Sequence, residues 1–183
     1  QLTQLGRVLE YVDTQRMGIL GEGIGGSIAL QAIGRSNVFN AAVAISPPVF
    51  SGVAEYGYPG MEQLKRVSED IFGRKLSDTE LIRELRARET FGNVPNIGTP
   101  LLFITTNTDF NYQAQLQFLD RLEQAGVKHE LLDYPDMIPG FLTALVNSER
   151  SQNWSQVRDE VWGKIFLFFA EHLNPEVPIV IEK

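Results

Sequence analysis

Four short, mostly apolar runs limit what this chain can fold into: Met17 to Leu20, Ala41 to Ile45, Leu101 to Thr105 and Val127 to Tyr134. Each has the length of a strand, and the middle two are continuous apolar segments of the kind buried on both faces of a sheet. Helical periodicity fills the intervals. Leu2, Leu5, Val8, Leu9 and Val12 make Gln1 to Asp13 an amphipathic helix, and Gly23 to Ile33 reads as helix again. Leu116, Leu119 and Leu122 mark another helix, which Gly126 ends as its C′ residue. Trp154 to Leu173 is an apolar final helix stopped at Asn174-Pro175. Strands alternating with helices predict an α/β fold, a three-layer α/β/α sandwich around a mostly parallel sheet. Ligands bind such sheets beyond the carboxyl ends of the strands. Those ends are Gly21 to Gly25, Ser46 to Pro48, Thr106 to Asp109 and Pro135 to Gly140.

Residues 52–96 break this rhythm and read as a helical insertion within a single domain spanning residues 1–183. Loops around Gly57-Tyr58-Pro59-Gly60 lead into two polar helices, the second opened by a capping box, Ser77 with Glu80. A net charge of −7 and the lack of a basic stripe argue against nucleic acid and anionic membrane as partners. No apolar stretch approaches the ~20 residues of a membrane span, and the opening helix does not have the layout of a signal peptide. A soluble protein follows, with a cytoplasmic location favoured over export. The absence of cysteine excludes disulfides and thiolate metal sites. No His, Asp and Glu cluster stands at metal-ligand spacing, so neither a metal nor a cofactor is implied.

The segment Met17-Gly18-Ile19-Leu20-Gly21-Glu22-Gly23-Ile24-Gly25-Gly26 has the frame of a nucleophile elbow, G-x-S-x-G, with glycine where the serine belongs. Gly21, Gly23 and Gly26 also satisfy G-x-G-x-x-G, a fingerprint for nucleotide binding at a helix N-terminus. That alternative expects an acid ending the next strand, ~20 residues on. The next strand ends in Ser46-Pro47-Pro48.

Three separated segments resemble the α/β-hydrolases, and most closely their prolyl oligopeptidase-like and acetyl xylan esterase-like branches. The approach Asp13-Thr14-Gln15-Arg16-Met17-Gly18-Ile19 resembles the run into the elbow. Thr99-Pro100-Leu101-Leu102-Phe103-Ile104 followed by Asp109 resembles the strand and loop delivering the triad acid, with Thr106 where a glycine is usual. Tyr134-Pro135-Asp136-Met137-Ile138-Pro139-Gly140-Phe141 resembles the Y-P-x-x-x-H-G-F segment, with Pro139 in the histidine slot. The resemblance implies a sheet in α/β-hydrolase order, of which this chain supplies the equivalents of the last four strands.

Acyl transfer on this scaffold needs a nucleophile, a base, an acid that orients the base, and an oxyanion hole. Gly23 offers no hydroxyl and Pro139 no titratable nitrogen, and losing either group costs on the order of 10⁶ in turnover. Of the hole, the backbone N–H of Ile24 remains. Asp109 reads most simply as the N-cap of a helix starting near Asn111, and Glu22 and Asp136 as solvated loop acids. The leading expectation is a catalytically inactive hydrolase-like domain with a structural, assembly or non-covalent ligand-binding role. Gly23, Ile24, Ser46, Tyr58, Asp109, Phe110 and Tyr112, with Tyr56, would line the old pocket. The alternatives are an active serine hydrolase with a displaced nucleophile at Ser27 or Ser46, and a nucleotide-binding domain using Gly21 to Gly26. His129 begins the fourth strand, roughly 16 Å before its carboxyl end, and His172 lies near the end of the last helix.

Met17 to Leu20 would be interior in the family's sheet, so its outer edge is a liability if left unpaired. Another chain, a preceding segment, or a second copy pairing edge to edge would cover it. Val177-Pro178-Ile179-Val180-Ile181 reads either as a frayed terminus or as a segment able to add to a sheet edge.

Overall fold

The computed structural model describes residues 13–49, 69–70, 73–87, 89–143 and 152–173. The expected opening helix, the first insertion helix, Tyr56, Tyr58 and Val177 to Ile181 lie outside them. In chain order the elements are β1 (Gly18–Glu22), α1 (Ile24–Arg35), β2 (Ala41–Ile45), α2 (Asp78–Ala87), a 3₁₀ helix (Phe91–Asn96), β3 (Leu101–Thr105), α3 (Tyr112–Gln124), β4 (His129–Asp133) and α4 (Gln152–Leu173).

The four strands form one parallel sheet in the order β1-β2-β3-β4. Every residue of β2 and β3 is buried, whereas β1 and β4 are partly exposed. The continuous apolar runs are therefore the two central strands, as their composition predicts. Side-chain alternation divides them between two cores. Ala42, Ala44, Leu101 and Phe103 face a cluster completed by Leu30 and Ile33 of α1, Phe118 and Leu122 of α3, Val94 from the insertion and Ile97 just after it. Ala41, Val43, Ile45, Leu102 and Ile104 face the other cluster, with Val161, Ile165 and Phe168 of α4 and Phe141 and Leu142. A sheet whose strands follow in sequence, joined by right-handed crossovers, places every connection on one face. The opposite face needs its own cover, and α4 supplies it. This is the three-layer arrangement expected.

Two strand boundaries differ from the sequence reading. β1 begins at Gly18 and runs on through Gly21 and Glu22, which pair with Ala44 and Ile45 of β2. The glycines that suggested a turn are thus ladder residues until Gly23. β4 is confined to His129–Asp133, and Val127 instead closes the end of α3. There Gly126, at φ 69°, lets its own N–H reach Glu123 O (2.9 Å) and the Val127 N–H reach Leu122 O (3.0 Å). These are the two bonds of a Schellman ending, with Val127 and Leu122 both in the first core.

In the insertion, the capping box of α2 is formed. Glu80 Oε2 accepts the Ser77 backbone N–H at 2.9 Å, and Ser77 Oγ accepts the Glu80 N–H at 3.3 Å. Arg74 grips the same carboxylate through two nitrogens, at 2.7 and 3.1 Å. Among the described residues no helix is long and apolar enough to cross a membrane.

Candidate functional site

The carboxyl ends of the strands carry the glycine turn, the Asp109 loop and the Pro139 loop. Gly23 stands between β1 and α1 at φ 55°, ψ −123°, a conformation that side chains rarely adopt. Its N–H bonds Ile45 O at 2.8 Å, fixing the turn to the neighbouring strand. A Cβ built on Gly23 meets nothing within 4 Å, so the backbone angle alone restricts this position. The packing glycines are its neighbours. A Cβ on Gly21 would overlap the Gly25 carbonyl, and one on Gly26 would lie 3.0 Å from Pro47 Cβ and 3.1 Å from Gly21 O. Gly25, by contrast, faces open space. The frame that packing demands is Gly21 and Gly26, with Gly23 demanded by its angle. Ile24, Gly25 and Gly26 supply the N–H groups of the first helical turn, which have no intrahelical acceptor. The side chain of Ile24 is 67% exposed.

Asp109 is buried, and its carboxylate is occupied. Oδ1 accepts the Asn111 N–H at 2.8 Å, and Oδ2 accepts the Gln115 side-chain amide at 3.0 Å. Helix α3 starts one residue later than expected, so Asn111, not Asp109, holds the cap position. Asp109 therefore forms an Asx-type turn ahead of the helix and satisfies one N–H there. Gln115 is fully buried, and its amide also donates to Pro47 O at 3.1 Å while its Oε1 accepts the Thr105 hydroxyl. Asn111 Oδ1 accepts the Val49 N–H at 2.8 Å. One connected set of polar groups thus links the acid's loop to the segment after β2. Sequence reasoning missed Gln115. The available signal is a glutamine one position before Leu116 on the inward face of α3, six residues after the only acid of the loop.

The histidine-slot loop is tied to the acid's loop. Thr106 and Thr108 hydroxyls both donate to Met137 O, and the Asp136 N–H donates to Asn107 Oδ1 at 3.0 Å. Thr106, where the family resemblance expects glycine, is therefore a stitch between the two loops. Pro139 is exposed, in a turn closed by the Phe141 N–H on Ile138 O at 3.1 Å.

Ser27 is buried and its hydroxyl donates to Pro48 O. Ser46 is buried at φ 42° with an Oγ that bonds nothing. Glu22 is not a solvated loop acid: Oε2 accepts the Thr143 hydroxyl, and Oε1 is buried without a partner. Phe110 is 70% exposed. The Tyr112 hydroxyl turns to Asp133 Oδ2 at 2.7 Å, and that bond, with some burial, raises it above the ordinary phenol value. A cleft of about 410 Å³ lies at the other end of the sheet, lined among others by Asn37, Asn40, Asn96 and Thr99. The two histidines of the chain are also at that other end: His129 opens β4, and His172 ends α4 beside Glu130.

Residues 4–150 match the Prolyl oligopeptidase family. The chain belongs to that family. No curated protein sequence matches it. Among solved structures it superposes on the acylaminoacyl peptidase of Pyrococcus horikoshii with a TM-score of 0.72 at 18% identity, over 99% of this chain and 28% of that one. Dipeptidyl peptidase 4 of Porphyromonas gingivalis gives 0.66 at 19% identity, over 93% of this chain and 21% of that one. A putative dipeptidyl aminopeptidase IV of Bacteroides ovatus gives 0.68 at 18%, with the same coverage of 93% and 21%. These likenesses establish the fold, a partial α/β-hydrolase sheet flanked by helices. The prolyl oligopeptidase-family chain described here spans about 28% of the length of the first of these structures. Within that family assignment, the strand, glycine turn and helix from Gly18 to Arg35 have the form of the nucleophile elbow.

Proposed function

We propose that this prolyl oligopeptidase-family chain is catalytically inactive and serves a structural, assembly or non-covalent ligand-binding role. The observation that carries this reading is the position of its histidines. The chain has two, and both lie at the end of the sheet remote from the elbow, so no imidazole meets a hydroxyl near Gly23. The other parts agree. Gly23 has no nucleophile, Pro139 has no base, and the Asp109 carboxylate is engaged by Asn111 and Gln115. The oxyanion donor at Ile24 is retained, but a hole without a nucleophile and base forms no acyl-enzyme.

An assembly role is supported by the outer edge of β1. Among the described residues β1 pairs with β2 alone, and Leu20 of β1 with Ile24 and Ile28 of the helix that follows it are 39%, 67% and 60% exposed. A further strand, from a preceding segment, another chain or a second copy, would pair that edge.

A displaced serine nucleophile is the second reading, and one observation favours it: Ser46 is held in a strained left-handed conformation with a free hydroxyl at the carboxyl end of β2. The test is hydrolysis of p-nitrophenyl esters and aminoacyl naphthylamides by the purified chain, beside Ser46→Ala. Rates at the buffer background in both support inactivity. Turnover lost in Ser46→Ala establishes the second reading instead.

A further inference from the structure

We propose that Glu130, Glu171 and His172 bind one divalent transition-metal ion of the zinc class, at the end of the sheet opposite the elbow. One ligand atom from each lies within 4.8 Å of the others. The sequence gives no hint of this, because Glu130 stands about forty positions before Glu171 and His172 and only the packing of α4 on the sheet brings them together. Glu130 shares a strand face with Leu132, which packs into the core under α4, so its side chain emerges on the side where α4 runs.

The decisive group is His172. Its side chain is 8% exposed, and Nε2 is buried with no hydrogen-bond partner. Glu171 Oε1 stands 4.0 Å away, too far for a hydrogen bond. A buried ring nitrogen left unbonded costs free energy, and such groups in native proteins are normally satisfied by something. The ring is held in place by Phe168, edge to face at a centroid distance of 4.5 Å. Nε2 is thus fixed, while Glu130 and Glu171 are exposed and free to adjust.

The dimensions suit a metal. Zinc binds imidazole and carboxylate at about 2.0–2.2 Å, which places tetrahedral ligands roughly 3.4 Å apart. The present spacing has to shorten by at most about 1.4 Å, a movement within the rotamer range of two exposed glutamates. One imidazole with two carboxylates favours zinc, cobalt or manganese over magnesium, which prefers an all-oxygen shell. His172 also lies in the last turn of α4, where the helix dipole favours a cation. A bound ion would clamp the end of α4 to the edge strand, and so act on stability. This inference is independent of whether the elbow is active.

The untagged full chain, stripped with EDTA, would be titrated with zinc against a chromophoric chelator and with cobalt by visible absorption. One equivalent of zinc should bind, cobalt should give the intense bands of tetrahedral coordination, and the melting temperature should rise with zinc concentration. Glu130→Gln and Glu171→Gln, both at exposed positions, should each weaken binding at least about tenfold. Zinc should also shift the His172 imidazole resonances. Absence of saturable binding at millimolar zinc would overturn the proposal. So would binding that neither glutamate variant weakens, or zinc that leaves the His172 resonances unmoved.

Discussion

Replacing Gly23 by serine puts a hydroxyl at the centre of the glycine turn and isolates the cost of its backbone. An added Cβ meets no atom within 4 Å, so crowding contributes nothing. What remains is φ 55° with ψ −123°, a conformation that costs ~1–3 kcal/mol for a residue with a side chain. For a domain of this size each kcal/mol moves the midpoint by roughly 2–4 °C, so Gly23→Ser and Gly23→Ala should each melt about 2–12 °C lower. Gly25 provides the control. It has the same open space without the left-handed angle, in the first turn of α1, so Gly25→Ala should be stabilising by ~0.4–1 kcal/mol. Calorimetry or circular dichroism on the three variants reads the sign directly. Gly23→Ser melting at or above the wild-type midpoint would refute the strain argument, as would Gly25→Ala shifting downward alongside it. The hydroxyl should bring no ester hydrolysis, because Pro139 leaves it without a base.

Gly21→Ala should be far costlier than Gly23→Ala, since its methyl overlaps the Gly25 backbone, and equilibrium denaturation should show a loss of about 3 kcal/mol or more. Gln115→Leu should cost roughly 3 kcal/mol by denaturant titration, because it strands the Asp109 carboxylate, Pro47 O and the Thr105 hydroxyl in a buried region. Arg74, followed by the Ser77 backbone and hydroxyl, holds Glu80 down from 4.5 to about 2. A depressed carboxylate contributes fully above its unfolded value and loses that contribution as pH falls through the folded one. The cap of α2 should therefore persist at pH 5 and weaken toward pH 2, and an NMR titration should show Arg74→Ala moving Glu80 back toward 4.5. Light scattering on the full chain tests the open edge of β1. Leu20→Lys with Ile28→Lys should dissociate an assembled species, and a wild-type monomer unaffected by these changes would remove the edge-to-edge pairing.

The sheet was legible in the sequence because the central strands are apolar on both faces. Ala41–Ile45 and Leu101–Thr105 show neither the alternation of a half-buried strand nor the length of a helix, and they form β2 and β3 with those boundaries. The end of β1 was not legible. Gly21 and Glu22 have turn composition, yet the parallel register with Ala44 and Ile45 carries the strand through them. The elbow frame could be read from the spacing of Gly21, Gly23 and Gly25, but the close approach of Gly26 to Pro47 depends on a residue after β2 that no local pattern reveals. The roles of Asp109 and Gln115 depend on a carbonyl after β2, far off in sequence, which no local pattern reveals. The same holds for His172, a helix-end histidine whose nearness to Glu130 appears only once α4 packs on the sheet.

Fluorophosphonate labelling of the purified wild-type chain, read by intact mass and peptide mapping, tests the claim of inactivity most directly. An inactive chain should keep an unmodified mass after prolonged exposure, with no serine labelled above the level of heat-denatured protein. Stoichiometric modification at Ser46 or Ser27 in the folded chain would contradict it.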